Sequence, residues 1–155
     1  MASEVFKKLN LKDQNEITVV NAPASFEGEI KLLRDLKVRR QLPAKGPVAF
    51  VLSFVTTQPE VNELAKAVGK VAEGDAVVWF AYPKQSSKRY ASEINRDDGW
   101  KALGKAGFEP VRSVAIDEDW SASRFRRVEF IKTMKRGAQW AMTKAGKAKA
   151  SAGKR

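Results

Sequence analysis

Two unbroken apolar runs constrain this chain most: Val48-Ala49-Phe50-Val51-Leu52-Ser53-Phe54-Val55 and Ala76-Val77-Val78-Trp79-Phe80-Ala81. A strand that is apolar on both of its faces has to be covered on both. Between the runs, Gln58 to Ala72 carries Val61, Leu64, Ala65, Val68 and Val71 at helical spacing, which predicts a helix with one buried stripe. Strand, helix and strand of these lengths form a crossover unit, and a connection of this length suits parallel pairing. A parallel sheet needs a helix layer on its other side too, so the rest of the chain must supply one.

The flanking segments fit that demand. Ser3 to Leu9 reads as a short helix capped by Ser3, with Val5, Phe6 and Leu9 on one face. Ile17 to Val20 is a compact strand, Asn21-Ala22-Pro23-Ala24 a turn, and Ser25 to Leu36 a helix with Phe26, Ile30 and Leu33 aligned. Val38 to Leu42 is a weak strand. After the central unit, Asn95 to Ala106 reads as a helix presenting Trp100 and Leu103 and ending at Gly107, which suits a left-handed cap. Val111 to Ile116 and Arg124 to Ile131 then read as strands around Asp117 to Ser123, a hairpin at the sheet edge. The order predicts an α/β fold: an open three-layer sandwich whose sheet is mostly parallel, with a C-terminal antiparallel hairpin.

At 155 residues the chain has room for one domain of ordinary size. Its 29 Lys and Arg outnumber 18 Asp and Glu, a net charge of +11 that is unevenly spread. Residues 1–131 hold 21 basic and 18 acidic side chains, a net of +3, while residues 132–155 hold 8 basic and none acidic. The expected organisation is a single α/β domain over 1–131 and a basic, disordered tail over 132–155. Eight flexible cations suit non-specific association with nucleic acid, and equally a solubilising extension. The chain has no Cys and no His, which excludes disulfides, thiolate nucleophiles, zinc and haem ligation by those residues, Ser-His-Asp triads and imidazole acid–base chemistry. No segment approaches the roughly 18 apolar residues of a membrane span, and no leader is visible, so a cytoplasmic protein with no membrane partner is expected.

In an open α/β sheet, ligands bind beyond the carboxyl ends of the strands. The loops expected there nominate Asn21, Ser25, Thr57, Lys84, Ser86 and Ser87 as a ligand-binding set. The string Tyr82-Pro83-Lys84-Gln85-Ser86-Ser87-Lys88-Arg89 places two hydroxyls among three cations and suits a phosphate or carboxylate. A Ser86–Lys84 nucleophile pair is the weaker reading, because it needs a desolvated lysine and an oxyanion hole. Thr57-Gln58-Pro59-Glu60 has the spacing of a helix cap, and Asn95-Arg96-Asp97-Asp98 puts carboxylates in a helix's first turn. Asp117-Glu118-Asp119 lacks the alternating ligands of a calcium loop, so no metal is expected. The structural reading is an acid-capped turn in which Trp120 folds onto the sheet and Arg124 pairs back to Asp117 or Asp119. Asn21 to Gly28 holds one glycine and a proline where a nucleotide loop would need glycines, so no cofactor is expected.

Three strings carry a family resemblance: Ala81-Tyr82-Pro83-Lys84, Glu93-Ile94-Asn95-Arg96-Asp97, and Ala115-Ile116-Asp117-Glu118-Asp119-Trp120-Ser121-Ala122-Ser123-Arg124-Phe125. Together with the Asn21-Ala22-Pro23 turn they resemble a bacterial family of domains of unknown function. That family shares a Trp-Pro-Lys string and an Ala-Ile-Asp-x-x-Trp-Ser-x-x-Arg-Phe segment. The resemblance spans residues 5 to 131, and Tyr82 departs from it where tryptophan is common. It implies a trimmed Rossmann-like methyltransferase fold lacking the S-adenosylmethionine loop, and it marks Asp117, Trp120, Ser121 and Arg124 as a motif without an assigned role. The expected function is non-enzymatic binding of an anionic small ligand or a partner at the strand ends. The alternatives are a methyltransferase-like enzyme with a degenerate cofactor site, and nucleic-acid association through the tail.

Overall fold

A computed structural model of the chain describes residues 4–12, 14–33, 36–94 and 99–131. Six strands form one sheet: β1 (Glu16–Val20), β2 (Lys37–Arg39), β3 (Val48–Phe54), β4 (Ala72–Pro83), β5 (Phe108–Ala115) and β6 (Trp120–Arg127). Their spatial order is β2-β1-β3-β4-β6-β5. The β1–β2, β1–β3 and β3–β4 pairs are parallel, while β6 is antiparallel to both β4 and β5. The hairpin therefore closes one side of the sheet with its second strand turned inward against β4, and β5 forms the edge.

The helices are α1 (Glu4–Lys8), α2 (Glu27–Lys31), α3 (Gln58–Val71) and α4 (Lys101–Lys105). On one face Phe6, Leu9, Phe26 and Ile30 pack on Phe50, Leu52, Phe54 and Trp79. On the other, Val61, Ala65, Val68 and Leu103 pack on Val51, Val78, Phe80 and Phe125. Each large apolar side chain so buried contributes about 1.5–3 kcal/mol. Trp79 is fully buried, and its indole N–H donates to the Leu9 carbonyl at 2.7 Å, which pins the end of α1 to the sheet. Trp100 is also core, edge-on to Phe80 and Tyr82.

The central unit lies where its pattern places it, and Gly107 has the expected positive φ, at 93°. Other elements differ from expectation. The helix expected over Ser25–Leu36 is a 3₁₀ turn at Ala24–Phe26 followed by the five residues of α2. β2 stops at Arg39, and the next residue, Arg40, makes a two-bond pair with Glu27, at 2.8 and 2.7 Å. β4 starts at Ala72, with its first residues bulged between the Val48–Ala72 and Phe50–Val77 pairings and Gly74 at φ 60°. The hairpin strands begin earlier than expected, at Phe108 and Trp120, so Ser121 to Ser123 are strand rather than loop. Val128–Phe130 is a 3₁₀ turn that ends the hairpin. Ser3, Asn95–Asp98 and the tail 132–155 lie outside the described residues.

Candidate functional site at the carboxyl ends of the strands

Because β6 runs against its neighbours, its first residue and the last residues of the parallel strands share one end of the sheet, with Trp120 in register with Pro83. The strand order reverses between β1 and β3. From β1 the chain passes α2 on one face to reach β2, and from β3 it passes α3 on the other to reach β4. Open α/β sheets place ligands beside such a reversal.

At this end β1 gives way to Asn21, which adopts a left-handed φ of 59° and turns the chain into Pro23. The Phe26 N–H donates to the Pro23 carbonyl at 2.9 Å, closing the turn on itself. Beyond β3, one oxygen of Glu60 accepts from the Thr56 N–H at 2.9 Å, the Thr57 N–H at 3.1 Å, and both threonine hydroxyls at 3.1 and 3.3 Å. In return the Thr57 hydroxyl accepts from the Glu60 N–H, completing a capping box on α3. Burial pushes the Glu60 carboxyl up, but the bonds from Thr56 and Thr57 outweigh it and hold the group below its ordinary range.

The segment after β4 is strapped across this cap. The Gln58 N–H donates to the Glu93 carboxylate at 2.9 Å, and the Glu93 N–H to the Thr56 carbonyl at 2.9 Å. On its other side the strap is held by the hairpin turn. The Lys84 N–H donates to the Asp119 carbonyl at 2.7 Å, and the Ser87 hydroxyl to the Asp119 carboxylate at 2.9 Å. The same hydroxyl accepts from the Tyr90 N–H at 3.2 Å, and Arg89 lies 3.9 Å from Asp119. Asp117 fixes the turn itself by accepting from the N–H groups of Asp119 and Trp120, both at 2.8 Å.

The strap's own residues line a half-open cavity of about 530 Å³, Lys84, Lys88, Arg89, Tyr90 and Ser92 among them. Behind it an aromatic row crosses the sheet end: Tyr90 on Trp120 at 4.9 Å, Trp120 on Phe54 at 5.1 Å, Phe54 on Phe26 at 4.9 Å. Phe26, Phe54 and Trp120 in this row belong to the core on the α1–α2 face. A larger groove of about 1000 Å³ lies between α3 and α4, where Gly69, Ala102 and Ala106 leave a shallow valley. It follows the helix layer from the first turn of α3, at Gln58 and Pro59, to Gly69 and Lys105.

Of the six residues nominated for ligand binding, Lys84 and Ser87 line the cavity. Ser86 is exposed on the same strap but does not line it, Thr57 is engaged in the capping box, and Asn21 and Ser25 lie exposed on the β1 turn. Asp117 caps the turn and Trp120 is buried, as expected. Ser121 pairs with Tyr82 and Ala115 inside the sheet. Arg124 departs from expectation: it forms no pair with Asp117 or Asp119 and lies opposite Trp79 and Arg112. Four residues of strand carry it about 13 Å from Trp120, out of reach of the turn. Sequence reasoning missed Asp119 as the residue that anchors the strap, and Tyr90 as a wall of the cavity; an aromatic in an otherwise polar loop was the available signal. Among the described residues no cluster of acidic side chains is arranged to hold a metal ion, and no helix is long and apolar enough to cross a membrane.

No protein-family profile matches the chain, and no curated protein matches it. Solved structures do. An S-adenosylmethionine-dependent methyltransferase from Aquifex aeolicus superposes with a TM-score of 0.54 at 17% identity, covering 80% of this chain and 88% of that one. A type 11 methyltransferase from Sulfolobus solfataricus, described as putative, gives 0.46 at 10% identity over 74% and 85%. The Methanococcus jannaschii fibrillarin pre-rRNA processing protein gives 0.47 at 12% over 75% and 67%. The chain thus has the Rossmann-like α/β fold found in S-adenosylmethionine-dependent methyltransferases. At these identities the likeness is one of fold, and function has to be argued from the site.

Proposed function

We propose that this protein binds a small anionic ligand, without catalysis, in the half-open cavity formed by the strap at 84–94. The observation that carries this reading is the convergence of Lys84, Lys88 and Arg89 on one cavity at the sheet end where ligands bind. Among the described residues neither Lys84 nor Lys88 has an acidic partner, so their charge is available to a phosphate or carboxylate. Ser87 serves a different end: its hydroxyl already donates to Asp119 and accepts from Tyr90, which holds the cations in place. Lacking Cys and His, the chain offers few groups for chemistry near neutral pH.

The alternative is a methyltransferase-like enzyme. It is favoured by the fold and by the left-handed turn at Asn21, where β1 meets the switch point. Against it stands Pro23, which removes a backbone donor from that turn. Isothermal titration of the full chain separates the two. With a panel of organic phosphates and dicarboxylates, at least one member should bind one-to-one and lose about tenfold in affinity in K84Q/K88Q. Micromolar binding of S-adenosylmethionine, unaffected by that double variant, would establish the enzyme reading instead.

A further inference from the structure

A second set of cations lies on the hairpin, away from the cavity. Arg112 and Arg124 are directly opposed in the β5–β6 ladder, and Arg126 follows on the same face, about 7 Å along the strand. Like charges directly opposed across a sheet destabilise it. Asp75 is committed to Arg126 through two bonds of 2.7 and 2.6 Å, and Glu109, in register with Arg126, is buried. Arg124 is half-buried, and its Nε is shielded from solvent with no hydrogen-bond partner among the described residues. Burial, then the charge of Arg126, pull Arg124 below the ordinary arginine value; Asp75 opposes this and Arg112 adds to it. At the other end of β5 the Lys8 ammonium donates to the Ala115 carbonyl at 2.8 Å, three residues or about 10 Å from Arg112.

A half-buried guanidinium beside two others is unfavourable in isolation, and an anion offering several oxygens relieves it. We propose that Arg112 and Arg124, flanked by Lys8 and Arg126, bind the phosphodiester backbone of a nucleic acid. The cations form a row along an open strand pair rather than the lining of a described cavity, which suits a chain of phosphates over a single small anion. The sequence that follows β6 points the same way, because residues 132–155 hold eight cations and no acid.

The test is fluorescence anisotropy of the full chain with a labelled single-stranded RNA of about 20 nucleotides, repeated over a salt series. R112Q/R124Q should bind at least about tenfold more weakly, and its slope of log K against log salt should be shallower by about 1.4, at roughly 0.7 for each phosphate no longer neutralised. R112Q alone changes an exposed side chain and should give about half of that slope change, which keeps the test valid if the double variant folds poorly. Wild-type affinity and slope in both variants would overturn the proposal. It would also be overturned if inorganic phosphate raised the melting temperature of the wild type but not of R112Q/R124Q, while RNA binding by the two proteins stayed equal.

Discussion

Glu60→Gln tests whether the end of β3 is organised by one carboxylate. A single oxygen of Glu60 receives two backbone N–H groups and two hydroxyls. Glutamine keeps an oxygen at that position but removes the charge. Hydrogen bonds to a charged group contribute about 1.5–3 kcal/mol, and Glu60 is partly exposed, so solvent screening reduces the expected loss to about 1–2 kcal/mol. For a domain of this size that lowers the melting temperature by about 3–7 °C. The pH dependence supplies a sharper check. The folded-state pKa of Glu60 lies below its ordinary 4.5, so its stabilisation is fully present above that value and is lost as pH falls through the folded pKa. Urea unfolding followed by tryptophan fluorescence should show the full gap between wild type and E60Q at pH 7, closing as pH drops below 4.5. A gap that is absent at pH 7, or unchanged in acid, would refute the assignment.

Three further outcomes follow from single contacts. Asp119→Ala removes the acceptor of the Ser87 hydroxyl, so hydrogen exchange at the Tyr90 amide should accelerate about tenfold or more while β3 amides keep their protection. Gly107→Ala should cost about 1–2 kcal/mol in chemical denaturation, because φ is 93° and no neighbouring atom lies near the added methyl. Trp79→Phe deletes the bond to the Leu9 carbonyl and leaves a void beside α1; about 2–3 kcal/mol of lost stability is expected, with α1 amides exchanging first.

The central crossover was legible because burial on both faces leaves an unmistakable run: every residue from Phe50 to Val55 is buried, and so is every residue from Ala76 to Tyr82. The cap at Thr57 and the left-handed Gly107 were legible for a similar reason, since each depends on local chemistry alone. What failed was decided at a distance. Ser121 and Ser123 look like loop, yet Ser123 is buried between Phe80 and Ser113 because two neighbouring strands satisfy its backbone. Acids at Asp117 and Asp119 suggest a local pair with Arg124, but the pleat and rise of β6 carry the arginine along the sheet. At the site, the cationic strap was visible as composition. Its anchoring by Asp119, more than thirty residues away, depends on a hairpin register that no local pattern encodes.

The strap cavity, and not the β1 turn, is the ligand site proposed for this chain. A ¹⁵N-correlated spectrum of the full chain, titrated first with a tight-binding anion from the panel and then with S-adenosylhomocysteine, tests it residue by residue. The anion should move the amide signals of Lys84 to Ile94, and S-adenosylhomocysteine should leave Asn21 to Phe26 unmoved. Saturable shifts at Asn21 to Phe26 and Thr56 to Gln58 with S-adenosylhomocysteine, and none along the strap with any anion, would contradict it.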